Sequence, residues 1–159
     1  MADQPSARRA DFGPLYLPNL IAALVASVGL VIGSLGPWAT LFGVSRGGMA
    51  VNTSDAVFTL IMGIAASAAL FGVLNLGLVG GKAKLMKRLS IGAVTAGVLG
   101  AIGGITNILE ISTRSTKVYG ETVRPEVAWG VWLVLISSAA LVATATIVAR
   151  QVRKKSDVD

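Results

Sequence analysis

The side chains that could do chemistry are few, and the missing types narrow the chemistry further. The sequence has no histidine and no cysteine. That removes the commonest general base, most transition-metal ligand sets, and every disulfide or thiolate nucleophile. The carboxylates outside the termini are Asp55, Glu110, Glu121 and Glu126, with Ser45, Ser112 and Ser115 as nearby hydroxyls. A hydroxyl becomes a nucleophile only beside a base that a third group orients, and no Ser-x-x-Lys spacing supplies one in these loops. Glu121 and Glu126 are explained as partners of Arg124 and as helix-dipole complements. Gly80-Gly81-Lys82 lacks the spacing of a phosphate loop. The chain is expected to be non-enzymatic, with no catalytic residue, no cofactor and no metal site.

The elements that carry these residues are defined by where charge is absent. Residues 12–45, 56–81, 89–109 and 127–149 contain no Asp, Glu, Lys or Arg. Each stretch is long enough for a helix to cross a hydrocarbon core of roughly 30 Å, which takes about 20 residues. An apolar fraction of 53% and a mean hydropathy of +0.73 agree with a membrane protein and exclude a disordered chain. The reading is an all-α, four-transmembrane-helix bundle with a small β-containing extracellular cap. Its parts are an N-terminal tail (1–17), the membrane domain (18–150) with spans at about 19–37, 56–79, 89–110 and 127–149, and a C-terminal tail (151–159).

The net charge of +6 sits on one side of this layout. Arg8, Arg9, Lys82, Lys84, Lys87, Arg88, Arg150, Arg153, Lys154 and Lys155 fall in the tails and the middle connection. The other two loops balance Arg46, Arg114, Lys117 and Arg124 against Asp55, Glu110, Glu121 and Glu126. Positive charge collects on the cytoplasmic side of membrane helices, so both termini are placed in the cytoplasm and the protein in the plasma membrane. The inner cations face anionic lipid headgroups; nucleic acid is not an expected partner. The first apolar stretch, with its core at 20–35, is read as a retained span, and Arg8-Arg9 as orienting charge.

Within the spans, small residues set the packing expectation. Gly92, Ala96, Gly100 and Gly104 recur every four residues in span three, and Gly29 and Gly33 do so in span one. Such spacing lets helix backbones approach closely, either inside one bundle or between copies. The spans hold no ionisable group at depth, which disfavours proton or ion coupling. Asn75 and Asn107 are expected to hydrogen-bond between helices. Trp38, Trp129 and Trp132 fall at the outer ends of spans one and four, where a ring with one polar edge anchors in the headgroup region or offers a partner surface. In the first outer loop, residues 39–44 and 49–51 are expected to pair around a turn at Ser45-Arg46-Gly47-Gly48. Ser54 or Asp55 is expected to cap span two, and Pro125-Glu126 to open span four.

Gly36-Pro37-Trp38-Ala39-Thr40, then Phe42-Gly43-Val44-Ser45, and Trp129-Gly130-Val131-Trp132-Leu133 carry a resemblance. They resemble small four-span membrane proteins of high-GC Gram-positive (actinobacterial) bacteria and their phages. Arg46-Gly47-Gly48 stands where that group often has an acidic Gly-Asp-Gly. The layout is also similar to claudin-like proteins, whose outer loops form a small sheet over the bundle, although that family's cysteine pair is missing here. The resemblance implies topology and lineage. The expected function is an accessory or scaffold subunit that binds another envelope protein or itself. A phage- or prophage-encoded membrane effector (superinfection exclusion or holin-like depolarisation) is the alternative. A small uncoupled channel or transporter is the third reading.

Overall fold

The computed structural model describes residues 13–79, 82–118 and 121–156. Arg8, Arg9 and the Gly80-Gly81 stop lie outside the described residues. Four long helices run α1 (Tyr16–Leu35), α3 (Thr53–Leu78), α4 (Ala83–Thr113) and α5 (Trp129–Ser156). Between α1 and α3 come strands β1 (Pro37–Leu41) and β2 (Val44–Gly47) and a short helix α2 (Gly48–Val51). Between α4 and α5 come β3 (Thr116–Val118), β4 (Glu121–Val123) and β5 (Glu126–Val127). All four long helices are long and apolar enough to cross a membrane.

The helices alternate up and down around a closed square in which α1 packs on α3 and α5, and α4 packs on α3 and α5. Their buried seams mix small residues with aliphatics such as Leu20, Leu30, Leu70 and Leu141. Ala23, Ala26 and Ser27 of α1, Ala93, Ala96 and Gly97 of α4, and Ser137, Ser138 and Ala145 of α5 are all buried. Large aliphatics such as Ile21, Val25, Ile61, Ile64, Ile102 and Ile136 point outward. A water-soluble helix does the reverse. Small residues in the seams and many large apolar residues outside are the arrangement that lipid-facing helices favour, because contact between backbones replaces the hydrophobic drive.

Several buried hydroxyls bond locally or across seams, whereas the buried Ser138 Oγ has no hydrogen-bond partner among the described residues. Ser34 Oγ donates to Leu30 O at 2.7 Å and lies 2.9 Å from Thr59 Oγ1. Ser67 Oγ donates to Ser27 Oγ at 2.8 Å. These contacts pin α1 to α3 without any charge in the seam.

The helix ends correct several expectations. The cations at Lys84, Lys87 and Arg88 do not form a loop; α4 starts at Ala83 and carries them on its first turns. The C-terminal tail continues α5 to Ser156. Asn52, rather than Ser54 or Asp55, caps α3, its Oδ1 accepting from the Asp55 amide at 3.4 Å. Pro125-Glu126 does not open α5: Glu126 and Val127 form β5, paired to β1, and the helix waits until Trp129. Ladder bonds to β1 outweigh the first-turn preference of proline.

One end of the bundle is capped by a three-stranded sheet in the order β2-β1-β5, with a separate β3-β4 hairpin. The first hairpin forms, but its turn falls four residues earlier than expected. Leu41 pairs with Val44, so the turn is Phe42-Gly43, and Ser45 and Arg46 belong to β2. Residues 49–51 are helical rather than a returning strand.

Candidate functional site

The capped end is where the sequence's unusual residues converge, and one side chain organises it. Trp38 follows Pro37, which has no N–H to give a ladder and suits the first position of a strand. The β1–β2 register shifts between Pro37 and Ala39, an irregularity of the kind that re-aims a side chain. The indole is turned into the core, only 1% exposed, and its Nε1 donates to Gly33 O at 3.0 Å. Trp38 is therefore a plug under the sheet and not part of a surface belt, which corrects its expected place. An apolar ring with a paired N–H is cheap to bury.

Trp38 is covered by glycine. A Cβ added at Gly48 would come within 2.6 Å of the ring. Beside it, glycines let α1 and α5 approach closely. A Cβ on Gly33 would sit 2.8 Å from the Val134 amide nitrogen, and one on Gly36 would sit 2.8 Å from the Trp129 ring. Gly29 similarly abuts the Ser137 side chain. In α4, Gly100 abuts Ser138 and Leu30, and Gly104 abuts Val134 and Leu135. Ala96 is buried with them, whereas Gly92 faces outward with nothing within 4 Å of an added Cβ. The four-residue row thus meets helices of its own chain at three of its positions and leaves Gly92 for any other contact.

A polar network ties the loop before α3 to α4 at the same end. Asn107, 1% exposed, donates from Nδ2 to Asp55 Oδ2 at 2.8 Å. Asn52 Nδ2 donates to Asp55 Oδ2 at 3.1 Å and to Glu110 Oε2 at 3.2 Å. Arg114 pairs with Glu110 on the next turn. Asn107 makes the interhelical bond expected of it. Asn75 does not: it is exposed and donates to Phe71 O of its own helix. Asn107→Leu removes one of the two amide donors to Asp55 Oδ2, leaving Asn52, and is expected to lower stability by about 1–3 kcal/mol. Asn75→Leu is expected to change little. Thermal unfolding of the two variants in detergent checks the pair.

Above the plug stands the feature that residue typing missed. Phe42 and Gly43 have φ of 51° and 75°. Two positive φ angles at the centre of a two-residue hairpin fit the twist of the flanking strands and call for Asn-Gly. Here the first position is Phe, whose left-handed conformation costs about 1–2 kcal/mol. Its ring is 68% exposed, with Val44 60% exposed beside it. Without Asn or Asp before Gly43, the turn signal was weak, and only the alternation on either side of Phe42-Gly43 marked it. Trp129 and Trp132, at 55% and 48%, stay on the surface at the start of α5.

No family model matches the chain, and neither a curated protein nor a solved structure matches it. The function is read from the chain's own chemistry.

Proposed function

We propose that this is a non-enzymatic, multi-pass plasma-membrane protein, both termini cytoplasmic, that docks through its capped end to another envelope protein. The membrane part of the reading is supported by four helices of membrane length, many large aliphatics on their outer faces, small residues at the close helix approaches, and a cation-rich end opposite the sheet. The docking part rests chiefly on Phe42. A large apolar ring is held in strained backbone at the tip of a short hairpin, where Asn or Gly would be more stable. Strain kept at an exposed position points to use of the side chain. Val44 extends the patch, and Trp129 and Trp132 supply aromatic anchors of the kind that dominate binding hot spots.

Phe42→Asn separates binding from folding. It is expected to stabilise the hairpin by about 1 kcal/mol while abolishing co-purification of the partner in mild detergent. A variant that keeps its partner in wild-type amount places the contact elsewhere. Reporter fusions at both termini check orientation, and an external C-terminus contradicts it.

Self-assembly is the competing use of the same molecule, as an effector reading requires. Along the small-residue row of α4 it would use the open Gly92 position, since Gly100 and Gly104 are occupied within the chain.

A further inference from the structure

At the end opposite the sheet, α4 and α5 line a groove of about 270 Å³. Its α4 wall is Lys87, Ile91, Val94 and Thr95, and its α5 wall is Thr146, Ala149, Arg150 and Arg153. These positions follow helical spacing on each side, so two single faces line it. Lys87, Arg150 and Arg153 stand at one end; at about 1.5 Å per residue Thr95 lies about 12 Å along α4 from Lys87, and Thr146 about 6 Å along α5 from Arg150. Among the described residues no carboxylate lines the groove. A second groove, between α1 and α3, offers the contrast: Leu24, Val31, Ile64, Ser67, Ala68 and Phe71 line it, with no cation.

We infer that the α4–α5 groove is a binding site for one phosphate-bearing anionic lipid of the inner leaflet. Lys87 and Arg150 at the mouth suit a headgroup phosphate, and the apolar walls at Ile91 and Val94 suit the first carbons of an acyl chain. A soluble phosphate would use the mouth and leave those walls unfilled. Basic pockets between membrane helices on the cytoplasmic side take such headgroups, and each cation near the surface strengthens binding about fivefold. The inference rests on the membrane-spanning reading, with this end inside.

The test is native mass spectrometry of the full-length protein extracted from the membrane fraction in mild detergent. Phosphatidylglycerol, phosphatidylcholine or inorganic phosphate is added in turn. The expected result is one retained phosphatidylglycerol that excess inorganic phosphate does not displace, with phosphatidylcholine held far more weakly. Lys87→Gln with Arg150→Gln is expected to weaken retention on the order of 30-fold. Lys84→Gln with Arg88→Gln removes equal charge outside the groove and is expected to leave retention unchanged. Thr95→Phe, which fills the groove without altering charge, is expected to abolish it. Equal losses from the two double variants, displacement by phosphate, or no headgroup preference each overturns the site while leaving the membrane reading intact. Recovery of the protein in the soluble fraction overturns both.

Discussion

Gly130→Leu is expected to leave no properly packed bundle. A Cβ at Gly130 would lie 2.5 Å from Pro37 O and 3.0 Å from Gly33 O, both backbone atoms that cannot rotate away. Relief requires α5 to move off α1 where α1 hands over to β1, which also breaks the Ala128 amide's 2.9 Å bond to Trp38 O. Overpacking against movable side chains costs about 1–3 kcal/mol; against backbone the expected cost exceeds that range. Even Gly130→Ala should lower the melting temperature. Gly92→Ala should raise it slightly, because open space at that position lets the better helix former contribute about 0.5–1 kcal/mol. Opposite signs for one substitution at two helical glycines distinguish close approach from general glycine flexibility. Thermal unfolding of both variants in the same detergent reads the difference.

Trp38→Ala is expected to be the most damaging truncation in the cap. It removes a fully buried ring and the bond to Gly33 O, and core truncations of this size cost about 3–5 kcal/mol. The sheet then loses its floor, so Phe42 should lose its fixed presentation and partner binding should fail with stability. Trp129→Ala and Trp132→Ala, at half-exposed positions, are expected to shift unfolding far less and to act on binding. Gly48→Ala should resemble Trp38→Ala in milder form, since the new methyl meets the same ring. A tryptophan fluorescence melt separates the buried indole from the two exposed ones.

These expectations show what was legible in the chain and what was not. The four long helices could be read directly, because an uncharged run of membrane length has few other uses. Helix ends were less legible. Lysine and arginine are good helix formers, so α4 and α5 continue through charges that resemble loop boundaries. The cap was foreseen as β-containing, but its register was not: Gly47-Gly48 competed with Phe42-Gly43 as a turn, and a phenylalanine at a left-handed position gives no local signal. Trp38 was misplaced because burial of a tryptophan at a span end depends on a register shift that no short motif encodes. The small-residue row was visible in full, yet which of its members meet a neighbour follows from the rotation of α4 in the bundle. Asn107 and Asn75 look alike in sequence. They differ only because Asp55 stands opposite one of them.

The docking claim is tested most directly by photocrosslinking in living cells, with a benzophenone amino acid placed at Phe42 and, separately, at Ile136. Phe42 tops the hairpin, whereas Ile136 is an exposed side chain within a long helix. The account predicts one discrete protein adduct from position 42 and none from position 136. No protein adduct at position 42, or the same adduct from both positions, contradicts it.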